Sequence, residues 1–334
     1  MRNLQVLLAR YPDGPVTTDC YQFREADVPE PADRDVVVRH IYLSCDPYMR
    51  GRMRPGPNAF KLGEPIPARV VGEVLRSRHP EYQEGDLVWD FLTWAEYSLA
   101  PDGKQLRKID PALGPISNAI SVLGMPGLTA WVGMYDIADA TAGETVFVSA
   151  ASGAVGQLAG QLARVRGCRV VGSAGSAEKV DHIVNTLGFD AGINYKTEDL
   201  GARLDALCPD GIDVYFDNVG GATLDAVLSR INRGARIPVC GQISRYDDPD
   251  AAQPRNLHRL EAQQATLTPF HVANHMDRYD TVIPQIAELL RDGRIRYFED
   301  IVYGIDNAPE AFIQMMRGDN LGKRLVRVGP DPTI

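Results

Sequence analysis

Cysteine and histidine are scarce in this 334-residue chain, and neither is arranged as metal or disulfide chemistry requires. Five cysteines (Cys20, Cys45, Cys168, Cys208 and Cys240) are scattered and form no C-x-x-C pair. That pattern excludes a disulfide framework and a structural zinc site, and it fits small buried residues in a reducing compartment. Six histidines (His40, His79, His182, His258, His271 and His275) show no ligand spacing. No apolar run approaches the ~20 residues of a membrane-spanning helix. Met1 to Arg10 offers only a short apolar run without a small-residue cleavage site, so a cytoplasmic protein is expected. Basic residues are also in deficit: 35 Lys and Arg against 44 Asp and Glu leave a net charge of −9. A nucleic-acid or anionic-membrane partner would favour a basic face, so neither is expected.

What is present is ordinary globular composition, 44% hydrophobic and 24% charged, at a length that favours two domains. From Leu4 to about Leu123, short strand-like runs are punctuated by Pro and Gly. Asp35 to Arg39, Ala68 to Val74, Gly85 to Trp89 and Trp94 to Ser98 read as strands of an irregular β-rich domain. From Glu144 the pattern alternates. Strand-like Glu144–Ser149, Cys168–Gly172, Gly192–Tyr195, Ile212–Asp217 and Ala235–Cys240 are interleaved with helix-like Ala154–Val165 and Lys179–Leu187. Such alternation calls for a parallel sheet with helices on both faces, a doubly wound fold. The tail carries two helix candidates, Thr281–Leu290 and Ala308–Met316, and a closing strand, Gly322–Arg327.

Between the first strand and helix of the alternating region lies Ala151-Ser-Gly-Ala-Val-Gly156, a G-x-G-x-x-G pattern with Ala in its first place. Gly153 would let backbone approach a pyrophosphate, and Gly156 would let the helix pack closely on the strand. The N–H groups of Ala154, Val155 and Gly156 open the helix, where phosphate is favoured. An NAD enzyme usually carries Asp or Glu at the end of the second strand, for the ribose 2′-hydroxyl. Here that stretch is Gly172-Ser-Ala-Gly-Ser176, without a carboxylate, and Lys179 follows. A missing acid and an added base favour NADP.

Eight stretches, in one order along the chain, carry a resemblance. They are Leu43-Ser-Cys-Asp-Pro-Tyr-Met-Arg50, Gly124-Met-Pro-Gly-Leu-Thr-Ala130, Ala150 to Gly156, Leu187-Gly-Phe-Asp190, Asn194-Tyr-Lys-Thr197, Tyr215-Phe-Asp-Asn-Val-Gly-Gly221, Cys240-Gly-Gln-Ile-Ser244 and Gly318-Asp-Asn-Leu-Gly-Lys323. Nearly end to end, the chain resembles the medium-chain dehydrogenase/reductase superfamily, in its zinc-independent prostaglandin reductase and alkenal double-bond reductase branch.

The resemblance implies a GroES-like mainly β catalytic domain, residues 1–122 and 292–334, with a Rossmann NADP-binding domain, 123–291, inserted between its parts. It implies that Lys179 and Tyr195 hold the adenosine 2′-phosphate and that Asn218 contacts the cofactor. Cys240, Gly241, Gln242, Ile243, Ser244 and Tyr246 would line the nicotinamide side. Phe270, His271, Val272 and Asn320 match further cofactor contacts, while Met125 and Thr129 match a nicotinamide-adjacent turn. Tyr48 and Tyr246 match tyrosines facing the substrate, suited to hydrogen-bond a carbonyl oxygen on which charge develops. No metal is implied: Cys45 stands where a zinc ligand might be expected, but no His is near it.

The implied reaction is NADPH-dependent reduction of the C=C bond of an α,β-unsaturated aldehyde or ketone, and the implied assembly a homodimer. A quinone reductase of the same superfamily and a non-catalytic NADPH sensor are the competing readings. Ala262 falls about where some relatives carry a proton-donating Tyr, Gln263-Gln264 replace a frequent Lys-Arg pair, and Pro269 replaces a usual Gly. Arg50, Arg52 and Arg54, in a basic loop, read as solvated surface charges in preference to partners of a substrate carboxylate.

Overall fold

The computed structural model describes residues 2–103, 105–248 and 253–334. The chain divides into two compact units, Met1–Ser121 with Glu299–Ile334, and Val122–Phe298.

The first unit opens with an antiparallel pair, β1 (Arg2–Leu8) and β2 (Tyr21–Asp27). There follow β3 (Val36–Ser44), a short helix α1 (Tyr48–Arg52), β4 (Pro67–Ser77), β5 (Leu87–Thr93), β6 (Tyr97–Ala100) and β7 (Arg107–Lys108). β3 is buried at every residue but Arg39, as a strand covered on both faces must be. Trp94 anchors the core: it is fully buried, its indole N–H donates to the Ser44 carbonyl at 3.1 Å, and its ring meets Tyr21 and Phe312, each at 6.1 Å between centroids.

The second unit begins with α2 (Met125–Trp131) and proceeds as β8 (Thr145–Val148), α3 (Gly156–Val165), β9 (Arg169–Ala174), α4 (Ala177–Asp181), β10 (Ala191–Asn194), α5 (Leu200–Leu207), β11 (Ile212–Phe216), α6 (Gly221–Leu228), β12 (Ile231–Val239), α7 (His258–Ala262), β13 (Thr266–Pro269) and α8 (Tyr279–Arg291). Its six strands pair in parallel in the order β10-β9-β8-β11-β12-β13. This is the doubly wound Rossmann order, in which the winding reverses between β8 and β11. The apolar runs of β8 and β11 are almost wholly buried, since both faces of a central parallel strand lie under helices.

The chain then returns to the first unit through β14 (Glu299–Tyr303), α9 (Ala308–Arg317) and β15 (Lys323–Arg327). These complete a mixed sheet ordered β14-β15-β3-β4-β5-β7, with β6 also paired to β3. The boundary falls after Phe298 and not at the expected residue 291 because α3 holds the intervening stretch. Gln157 and Gln161, one turn apart and buried, each form a two-bond clamp on backbone. Gln157 bonds the N–H and carbonyl of Phe298 at 2.9 and 3.2 Å, and Gln161 bonds those of Arg296 at 2.8 and 2.7 Å.

Candidate active site

Ligands of doubly wound sheets bind beyond the carboxyl ends of the strands, where the winding reverses. Two turns flank that point here, Ser149–Gly156 after β8 and Asp217–Gly220 after β11. In the first, Ala150 takes a left-handed conformation (φ 49°), and the Gly153 N–H donates to the Ala150 carbonyl at 3.0 Å. A Cβ on Gly156 would stand 2.3 Å from that carbonyl oxygen, so the close approach of α3 demands glycine there. Among the described residues, no side chain caps α3. The N-terminus at Ala154, Val155 and Gly156 therefore presents the positive end of a ten-residue helix without an internal acceptor. These features fit a bound pyrophosphate.

The stretch after β9 keeps the cationic character read from the sequence. Ser176 caps α4, accepting from the Lys179 N–H at 3.2 Å, which seats Lys179 in the first turn. Tyr195 follows β10, the neighbour of β9, and its N–H donates to the Ala174 carbonyl at 3.2 Å. A Cβ on Gly175 would lie 3.1 Å from the Tyr195 hydroxyl and 3.2 Å from Cε of Lys196. The structure thus brings Tyr195 and Lys196 over a bare backbone at Gly175, three residues before Glu178 and four before Lys179. Lys196 was not singled out from the sequence, although its place beside Tyr195 was signal enough.

Asn218 is oriented by the opposite strand end. Its side-chain N–H donates to the Ser149 carbonyl at 2.7 Å, and its backbone N–H to Ser149 Oγ at 3.0 Å. That leaves its side-chain oxygen as the atom available to accept from a ligand. The loop after β12 is tied to the same turn. The N–H groups of Cys240 and Gly241 donate to the Asp217 carbonyl at 2.8 and 3.2 Å, that of Ile243 to Asn218 at 3.3 Å, and that of Ser244 to Val219 at 3.2 Å. Gln242 and Tyr246 close the loop, where the Tyr246 hydroxyl lies 3.4 Å from the place of a Gly241 Cβ. Burial pushes the Tyr246 phenol above its ordinary pKa, with Cys240 adding to this and a backbone bond from Gln242 opposing it. Burial likewise pushes the Cys240 thiol up to about 12, so at neutral pH it is an inert thiol.

Phe270 continues β13, its N–H donating to the Val239 carbonyl at 3.3 Å, and its ring stands edge-on to Phe216 at 6.4 Å. His271 is exposed and Val272 half-buried beyond it. Met125 opens α2, a helix that contacts α3, and Thr129 lies one turn on, donating to the Met125 carbonyl at 2.6 Å. Ala262 ends α7, exposed.

Tyr48 and Asn320 belong to the first unit. Tyr48 is the first residue of α1 and keeps 38% exposure. Burial and the neighbouring Asp46 carboxylate push its phenol pKa up, against Arg69 and Arg52. Asn320 donates from its side chain to the Gly322 carbonyl at 2.7 Å. Lys323, the first residue of β15, is 2% exposed, and its ammonium donates to the Cys45 carbonyl at 2.8 Å and to Asp46 at 2.6 Å, just before α1. The Cys45 thiol is buried and pushed up to about 12. The solvated reading of Arg50 is corrected: this residue is 1% exposed, with Nη2 donating to the Gly14 carbonyl at 2.6 Å. Arg52 lies over the Phe60 ring at 4.9 Å and donates to the Asn58 carbonyl at 2.9 Å.

Residues 4–109 match the family described as the N-terminal domain of oxidoreductase, and residues 154–288 the family described as zinc-binding dehydrogenase. The chain is 43% identical to 2-alkenal reductase (NADP(+)-dependent) of Nicotiana tabacum over 98% of this chain and 97% of that one. It is 38% identical to NADPH-dependent curcumin reductase of Escherichia coli (strain K12), over 99% and 98%. The solved structure of CurA in complex with NADPH from Vibrio vulnificus superposes with a TM-score of 0.93 at 36% identity, covering 98% of this chain and 99% of that one.

The chain belongs to the zinc-independent medium-chain dehydrogenase/reductase family of alkenal and prostaglandin reductases.

The fold fits that membership throughout, with a parallel Rossmann sheet in one unit and a mixed sheet in the other. Among the described residues, no group of three or more His, Cys, Asp and Glu is arranged to hold a metal ion, and no helix is long and apolar enough to cross a membrane. Among the buried polar groups of this family member that escaped the sequence reading are Asp217, Ser149 and Lys323. Each looks in sequence like a solvated turn or strand-end residue, and only burial distinguishes it.

Proposed function

We propose that this enzyme is an NADPH-dependent reductase of the C=C bond of α,β-unsaturated aldehydes and ketones, with 2-alkenals and extended enones as its substrates. The observation that carries the reading is the end-to-end likeness to a 2-alkenal reductase. The cofactor is NADP. The β9 end lacks a carboxylate that would meet the ribose, Tyr195 and Lys196 lie over Gly175, and Lys179 follows in the first turn of α4, where a 2′-phosphate would lie. Bound NADPH supplies the hydride for the β-carbon of the substrate.

The protein supplies position and electrostatics. Lys179 and Tyr195 hold the 2′-phosphate, the α3 N-terminus with Gly153 holds the pyrophosphate, and Asn218, Cys240 to Ser244, Phe270 to Val272, Met125, Thr129 and Asn320 hold the remainder. Tyr246 or Tyr48 would donate a hydrogen bond to the carbonyl oxygen, on which enolate charge develops. Both phenols have raised pKa values, so at neutral pH they carry the proton that a donor needs. The α-carbon then takes its proton from water or a tyrosine, since Ala262 has none to give. The same reading includes a homodimer paired through β13, the edge strand that ends the parallel sheet.

The test uses NADPH deuterated at the transferable position and a 2-alkenal, with the product read by NMR. The reading expects a saturated aldehyde with deuterium at the β-carbon. An allylic alcohol deuterated at the carbonyl carbon would show carbonyl reduction and end the proposal. Tyr246→Phe is expected to lower turnover by about 10²–10³, the usual loss for one oxyanion donor. Unchanged turnover removes that residue from the mechanism.

A further inference from the structure

Asp217 is completely buried at the carboxyl end of β11, beside the point where the sheet reverses its winding. Nothing in the cofactor reading requires a carboxylate there, and burying one is costly unless its oxygens are satisfied. Its two oxygens are treated very differently. Oδ1 accepts from the Tyr215 hydroxyl at 2.6 Å and from the N–H groups of Gly220 and Val219 at 2.8 and 2.9 Å. Ser149 Oγ stands 3.5 Å from Oδ1 and 3.1 Å from the Tyr215 oxygen. Oδ2 is buried with no hydrogen-bond partner among the described residues. Burial pushes the carboxyl above its ordinary pKa, against the bonds from Tyr215, Gly220 and Val219.

Three of the segments touched by this group are ones that the cofactor reading uses. Val219 and Gly220 bend back onto Oδ1, and this fixes the turn that carries Asn218, with Gly220 in a left-handed conformation (φ 70°). Ser149 receives the Asn218 N–H on its hydroxyl and the Asn218 amide on its carbonyl, and it opens the glycine-rich turn. The Asp217 carbonyl receives the N–H groups of Cys240 and Gly241, where the third loop begins. One residue thus joins the strand ends of β8, β11 and β12. A purely structural anchor at this place could be apolar, as the neighbouring Val214 and Phe216 are. The carboxylate is explained by the acceptor it offers to a tight turn whose Asn must point its oxygen outward.

We propose that Asp217 is a positioning residue of the NADP site, holding Asn218 and the Cys240–Tyr246 loop in the conformation that receives the cofactor. This rests on the cofactor reading above but not on the identity of the substrate.

The test measures NADPH binding by its fluorescence in the absence of substrate, together with KM for NADPH and kcat, on Asp217→Ala, Asp217→Asn and Tyr215→Phe. Removing the acceptor in Asp217→Ala is expected to weaken NADPH binding roughly 10- to 100-fold, the range for a hydrogen bond to a charged group. Turnover at saturating NADPH should change less than about threefold, because the loss lies in binding. Asp217→Asn keeps an oxygen for the three donors, and its amide takes the place of the unpartnered Oδ2, so it is expected to restore binding to within about threefold. Tyr215→Phe removes one donor and should fall between the two. If Asp217→Ala does not fold, Tyr215→Phe and Asp217→Asn decide the matter. Binding by Tyr215→Phe equal to wild type, or by Asp217→Asn as weak as a disrupted site, overturns the proposal. So does a fall in kcat with binding unchanged. Wild-type enzyme that binds NADPH but reduces no enone would sink the functional reading and leave this test intact, whereas wild-type enzyme that binds no NADPH sinks both.

Discussion

His40 shows how far a single buried residue can govern the pH response of the first unit. It is 1% exposed on β3, its Nδ1 is 2.7 Å from the Ala95 carbonyl, and its Nε2 has no hydrogen-bond partner among the described residues. The carbonyl can only accept, so Nδ1 carries a proton. Burial lowers its pKa from 6.5 to about 4, with the Ala95 bond opposing. Because the folded pKa is depressed, the unfolded chain takes up the proton first as pH falls. The stability contribution is therefore complete above pH 6.5 and is lost on acidification towards pH 4. Between pH 7 and pH 5 the loss amounts to about 2 kcal/mol. Urea unfolding of the wild type and of His40→Asn at the two pH values checks this. The variant should lack about that much of the acid loss, and parallel pH profiles would show that His40 is not the titrating group. Residues of this kind mark the limit of reading from sequence. The glycine turn was legible because spacing alone reveals it. Asp217 and Arg50 were not, since a charged residue at a strand end or in a loop reads as solvated until its burial is known.

At the scale of elements, the strands with β-branched apolar runs were plain in the sequence: β8, β9, β10 and β11 fall within two residues of expectation at each end. β13 was not delimited, because Thr266–Pro269 is a half-exposed edge strand with no buried face to impose a pattern. The helix expected over Lys179–Leu187 starts earlier, at Ala177 behind the Ser176 cap. It then widens, so that the Leu187 N–H reaches the His182 carbonyl five residues back. The end of the second unit was missed because its fixing device is a pair of side chains. Gln157 and Gln161 on α3 mimic a neighbouring strand for the stretch from Arg296 to Phe298. Each clamp leaves two backbone groups without partners when it is removed. Gln157→Ala or Gln161→Ala should therefore cost about 1–3 kcal/mol. Amide exchange at Phe298 or Arg296, respectively, should also accelerate. Unaltered protection at those amides would mean that the clamps do not hold the segment.

For the molecule as a whole, family membership fixes the architecture, and the cofactor preference rests on one small region around Gly175. The central claim joins the two: an NADP-dependent enzyme that directs hydride to a conjugated C=C bond. NADPH oxidation measured against a panel of 2-alkenals, enones and quinones, with NADH as control and Lys179→Ala alongside the wild type, tests it most directly. The account predicts turnover of alkenals or enones, a strong preference for NADPH, and loss of most of that preference in Lys179→Ala through KM. Turnover of quinones alone, or equal use of NADH by the wild type, would contradict it.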